Sequence, residues 1–354
     1  MKKYIILTAA LLSGLCACTK KDADIIELPD TPIAFQAFGY ASQTKAEGTF
    51  TNEDFSVFGY QHSLSWNAAT AATGDDLPST LMKDIKVTHS ENNPAYSTVN
   101  GGDVWAPAQV YYWPKKDFLT FAAYSPYGKG SASFSFEKGI KFAAFTVNPV
   151  PGDANKVDLL YSDIASDKTV ENYTSGTHDA HPDGVYLLFH HALAQIKIAC
   201  TFDDTKLNPG TEAVVNVYDI KVRNIDTKGT SFNATDKEWT SSEPKNQDLG
   251  ITPADLSTKA SNFISEYYVM PQTLEDGTQQ IVVSYTITTT FSDGTTKTEK
   301  IEEKAVDFTC DIDEWSPNYK YSYNLKISAV SDDPITFDPA VEAWSEEEAE
   351  SINY

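Results

Sequence analysis

Between Tyr319 and Ile327 every second residue is large and apolar. Tyr319, Tyr321, Tyr323, Leu325 and Ile327 alternate with Lys320, Ser322, Asn324 and Lys326. A period of two builds a strand with one dry and one wet face, which a helix cannot do. Ile281, Val283, Tyr285, Ile287 and Phe291 continue the pattern into Asp293-Gly294, a hairpin signal, and a return strand near Thr295 to Ile301. Val185, Leu187 and Phe189 alternate again, followed by Ile196, Ile198 and Cys200. Shorter strand candidates cover Phe55–Tyr60, Val110–Trp113, Phe118–Tyr124, Phe134–Phe136 and Phe142–Val147. Only Leu77–Asp84 reads as a short helix. Many short strands between Gly, Pro and Asn breaks predict an all-β chain of β-sandwich type.

Length and charge narrow the reading. At 354 residues the chain has room for roughly two domains. A net charge of −23 argues against nucleic acid as a partner. Arg223 is the only arginine, so bidentate phosphate or carboxylate clamps are scarce. Nineteen Tyr, 18 Phe and 6 Trp speak for a packed protein rather than a disordered acidic one. The loop-like stretch Ala165–Gly184 is the best internal boundary, giving domains at 33–183 and 184–354. Cys200 and Cys310 are open to two readings, a disulfide or two buried thiols.

The N-terminus reads as a secretory signal over residues 1–17. Lys2 and Lys3 precede the apolar run Tyr4–Leu15, too short to span a membrane, and Leu15-Cys16-Ala17-Cys18 follows. That tetrad resembles a bacterial lipobox. The resemblance implies cleavage between Ala17 and Cys18 and acylation of Cys18, with palmitate-type chains anchoring the protein in the outer membrane. Several chains are needed, because one acyl chain holds only marginally. Residues 18–32 then form a charged tether.

Several pieces in this order carry a wider resemblance. They are Phe55-Ser56-Val57-Phe58-Gly59-Tyr60, Val110-Tyr111-Tyr112-Trp113-Pro114 and Leu119-Thr120-Phe121-Ala122-Ala123-Tyr124-Ser125-Pro126. Val157-Asp158-Leu159-Leu160-Tyr161, Leu188-Phe189-His190-His191-Ala192-Leu193-Ala194, Trp315-Ser316-Pro317-Asn318-Tyr319-Lys320-Tyr321 and Ile335-Thr336-Phe337 follow. Together they resemble the fimbrillin-like lipoproteins of Bacteroidales, subunits of type V pili. The resemblance implies two transthyretin-like β-sandwich domains in tandem and a structural or adhesive subunit of a surface fimbria. Its partners would be other fimbrial subunits, in a homo- or heteropolymer, and a host or bacterial adhesion ligand.

In that family a trypsin-like protease removes the first strand, and a neighbour's strand refills the groove. Here the first strand would be the one carrying Ile33, Phe35 and Ala37 on one face. Burying Ile33 and Phe35 contributes about 3–6 kcal/mol, and removing the strand leaves neighbouring backbone groups unpaired. An incoming strand restores both, which is β-augmentation. Lys45-Ala46 is the candidate cleavage site, with Lys where the best-known shaft subunits have Arg. Ile335, Phe337, Val341 and Trp344 mark the tail as candidate donor; the competing reading is a last edge strand folded on its own domain.

Catalytic signatures are missing from the sequence. There is no Gly-x-Ser-x-Gly elbow and no phosphate loop, and no cofactor is expected. His178, His181 and the nearby carboxylates Asp179 and Asp183 read as a solvated loop rather than a metal site. His190-His191 reads as packing or hydrogen bonding. The rival function is a non-polymerising surface lipoprotein that binds glycans on exposed rings such as Trp66, Trp105 or Trp239.

Overall fold

The period-two segments become strands in a computed structural model, which describes residues 31–39, 54–147, 157–170, 184–248, 254–256, 262–308 and 312–343. The chain begins with β1 (Phe35–Gly39), β2 (Phe55–His62), the helix α1 (Trp66–Ala71), β3 (Ser79–Ser90), β4 (Val104–Pro107) and β5 (Phe118–Ser125). There follow β6 (Ala132–Ser135), β7 (Gly139–Phe142), β8 (Phe145–Thr146), β9 (Leu160–Ser162), β10 (Ala165–Lys168) and β11 (Val185–His191). The middle holds β12 (Ala194–Asp203), β13 (Glu212–Asn233), β14 (Trp239–Asp248), β15 (Ala254–Leu256) and β16 (Asn262–Val269). Last come β17 (Gln272–Thr273), β18 (Gln280–Thr290), β19 (Thr296–Asp307), β20 (Glu314–Trp315), β21 (Tyr319–Ser328) and β22 (Thr336–Ala343).

In the first sheet β10, β5, β2, β3, β4, β1, β11 and β9 pair in that order, and β9 also pairs with β5. The pairing therefore runs full circle, with β10 a spur on β5. Closing a sheet leaves no open edge. Phe35, Phe55, Val57, Phe121, Leu187 and Phe189 fill the inside, each nearly or wholly buried.

The second half is a sandwich. One layer runs β16-β12-β21-β22 and the other β19-β18-β13-β7-β6. Their inner faces supply the alternating residues: Ile196 and Ile198 from β12, Val215 and Val217 from β13, Val283 and Tyr285 from β18. Tyr321, Tyr323, Leu325 and Ile327 are buried as the alternation requires, while Tyr319 at the strand start is exposed. The turn at Asp293-Gly294 forms where expected: Gly294 takes φ +81°, and the Thr295 amide donates to Asp293 Oδ1 at 2.9 Å. Cys200 is a free thiol inside this core, and burial pushes its pKa up to about 12. Cys310 lies outside the described residues.

The two halves interlock. β6 to β8 leave the first sheet after β5 and attach to the second half through β13, with Phe142 opposite Phe232 and Phe145 opposite Gly229. A third apolar cluster, including Phe58, Tyr124, Phe142, Phe232 and Met270, fills the space between them. The stretch Ala165–Gly184 begins as β10 on β5 and ends at β11 in the same closed sheet. First-sheet pairing thus continues to His191, past the expected boundary at 183.

Leu77–Asp84 is not a helix. Ser79–Ser90 forms β3, paired with β2 and β4 on either side, and Met82 and Val87 are fully buried. Within the stretch itself, Ser79, Thr80 and Met82 pair with β2, and that pairing outweighs a weak local preference. The helix that does form, α1, has its first amide tied to Asp167 Oδ1 at 2.7 Å. Val110–Trp113 gives a single bridge, Tyr112 to Pro32, instead of a full strand.

Candidate strand-exchange site

The first strand enters the ring in two steps. Thr31 and Ile33 pair antiparallel with the segment before β5: the Ile33 amide donates to Tyr111 O at 2.8 Å and the Trp113 amide to Thr31 O at 3.0 Å. From Phe35 onward the strand lies between β4 and β11. It is parallel to β11 over five residues, Phe35 opposite Val185 through Gly39 opposite Phe189. On the β4 side only Phe35 opposite Trp105 is paired.

Alternation then sets what each side chain meets. Ile33 and Phe35 are fully buried and Ala37 is 9% exposed. The Phe35 ring stands edge-on to Phe121 at 5.3 Å and to Phe55 at 6.3 Å between centroids. Phe55 in turn touches Trp105 at 5.2 Å and Phe189 at 5.5 Å. Edge-on packing of this kind adds stabilisation beyond the area buried. Phe38, on the other face, stacks on Tyr186 at 4.7 Å.

Gly184 marks the closest approach to β1. Its φ is +132°, and a Cβ there would sit 2.7 Å from the Phe35 carbonyl carbon. Only glycine lets the chain enter β11 against that backbone. The Val185 amide immediately donates to Ala34 O at 2.8 Å.

The wall formed by β11 also has supports that do not involve β1. It pairs with β9 on its far side. His191 Nδ1 lies 2.8 Å from Asp158 Oδ2, and His190 Nε2 lies 3.0 Å from Asp163 Oδ2. The two histidines thus brace the strand between β1 and β9.

The tail forms β22, antiparallel to β21 at an edge of its sheet. Ile335 is buried in the second core, and Phe337 lies opposite Leu325. Val341 is 49% exposed opposite Tyr321. Cys18, Ala17, Lys45, Ala46 and Trp344 lie outside the described residues, as do the His178–Asp183 positions. Trp66 and Trp105 are buried and Trp239 is half-buried, its Nε1 donating to Ala192 O at 2.7 Å. Trp66 and Trp105 thus pack inside the protein, while Trp239 keeps part of its ring at the surface. No local sequence signal marks the role of Gly184, nor the parallel pairing of β1 with a strand so far along the chain.

Comparison with known proteins gives a match to a family model described as Fimbrillin-like over residues 44–344. The chain belongs to the fimbrillin-like family. Membership carries a fimbrial, cell-surface role. Among solved structures, the chain is similar to a fimbrial protein from Bacteroides vulgatus. That likeness has a TM-score of 0.65 at 20% identity and covers 89% of this chain and 99% of that one. At this identity the likeness speaks for the fold. A candidate cell adhesion protein from Bacteroides uniformis also aligns, with TM-score 0.47 and 16% identity over 89% of this chain and 99% of that one. No curated protein matches the chain. The fimbrillin-like chain is therefore an all-β sandwich protein whose first described strand is interior to its sheet.

Proposed function

We propose that this chain is a structural or adhesive subunit of a surface fimbria, anchored in the outer membrane through acylated Cys18. It assembles by strand exchange after a cut between Lys45 and Ala46. The cut frees the subunit from the Cys18 anchor and from its covalent tie to β1, and the tail of another subunit enters the place β1 leaves. One observation carries this reading: β1 is an interior strand of a closed sheet, yet the covalent chain joins it to β2 only through residues 40–54. Its loss would open the ring between β4 and β11 and uncover the cage around Phe35. Unpaired strand edges of that kind recruit another strand. A contact between one surface of a subunit and a different surface of the next propagates into a filament.

The test is limited trypsin digestion of the purified folded chain, followed by unboiled detergent gels and N-terminal sequencing. Expected are detergent-resistant ladders and a new N-terminus at Ala46. A chain that is cut there but stays monomeric rejects assembly by exchange.

A further inference from the structure

The two ends of the described chain carry the same short pattern. Pro32-Ile33-Ala34-Phe35-Gln36-Ala37 leads into β1, and Pro334-Ile335-Thr336-Phe337-Asp338-Pro339 leads into β22. Proline, isoleucine and phenylalanine recur at identical spacing. We infer that the β1 groove accepts the tail of a second copy of this chain in one register, with Ile335 in the Ile33 site and Phe337 in the Phe35 site. The inference rests on the exchange reading above and adds to it the partner, which is the same chain, and the alignment.

The groove's demands fit that alignment. It needs large apolar side chains at its first and third positions, since Ile33 and Phe35 are fully buried. It needs a compact one at the fifth, where Ala37 is 9% exposed. The tail offers Ile335, Phe337 and Pro339 in that order.

The proline is the sharper argument. The Val185 amide donates to Ala34 O, and Phe35 lies opposite Val185. In a parallel pair alternate residues address the neighbour, so Ala34, Gln36 and Phe38 bond to β11 while Phe35 and Ala37 turn the other way. Pro339 in the place of Ala37 therefore loses no hydrogen bond to β11. A shift of one residue would put it where an amide is required and turn Ile335 and Phe337 to the wrong face. A shift of two toward the strand start would put it opposite Trp105, where Phe35 pairs with β4. A shift of two the other way would force Phe337 into the Ala37 site. One misfit remains: Ala34 is fully buried, and Thr336 is larger.

Mixed cysteine variants test the register. One preparation of the full chain carries Asp338→Cys, and the other carries Tyr186→Cys or Leu188→Cys. After limited trypsin digestion and oxidation, Asp338→Cys should join Tyr186→Cys across two copies, because Gln36 lies opposite Tyr186. Neighbouring strands are close enough for a disulfide. Phe337→Asp should reduce ladders at least about tenfold, since an unpaired charge would enter the cage. Thr336→Ala should raise ladder yield by relieving the misfit.

Crosslinking to Leu188→Cys instead, ladders without any crosslink, or a fall with Thr336→Ala would overturn the register. Ladders that need a different subunit would overturn the choice of partner. Either result leaves assembly by exchange intact. Wild-type chain that never ladders after the cut defeats both.

Discussion

The first and last described strands share a sequence pattern and occupy opposite settings. β1 lies within a closed sheet, with β11 along its whole length and its aromatic side chain caged. β22 has one neighbour, lies at a sheet edge, and leaves Val341 half in solvent. It also carries Pro339, which an edge tolerates readily. The shared isoleucine is buried in both settings, Ile33 in the closed sheet and Ile335 in the second core; the strands differ beyond it, where Ala37 is covered and Val341 is not. β22 pairs over eight residues with its one neighbour, whereas β1 pairs over five with β11 and one with β4.

Three measurements would break or sharpen that contrast. The largest effect belongs to Phe35→Ala, which should destabilise the uncut chain by about 3–5 kcal/mol in urea unfolding. A loss under about 1 kcal/mol would mean that the cage is not a core. Next is Gly184→Ala, expected to cost about 1–3 kcal/mol through its positive φ and its collision with Phe35. Much of that cost should vanish once the first strand is gone. An equal cost in cut and uncut protein would show that the collision is unimportant. Smallest is Val341→Ala, expected to change stability by no more than about 0.5 kcal/mol. A larger loss would make β22 as firmly held as β1.

Much of the strand content was legible because burial and alternation coincide, as in Tyr321, Tyr323, Leu325 and Ile327. The inward set Ile33, Phe35 and Ala37 was readable for the same reason. Leu77–Asp84 misled because its residues are locally neutral, and their strand is fixed by pairing with β2, a partner distant in sequence, rather than by their own pattern. Long-range pairing was the harder part. The match of β1 with β11 joins residues about 150 positions apart, and nothing local announces it. The crossing of β6 to β8 onto β13 was hidden in the same way. Gly184 looked like an ordinary loop glycine because its constraint comes from another strand's backbone.

β13 has a mechanical consequence. It is 22 residues long, about 70 Å at roughly 3.3 Å per residue. Its first half pairs with β18, and its far end holds β7 and β8, which continue from the closed sheet. One strand thus carries the short two-residue ladders of β7 and β8 at one end and the long ladder with β18 at the other, so both halves share a single backbone beam. Disturbing that beam at either end therefore reaches both halves at once.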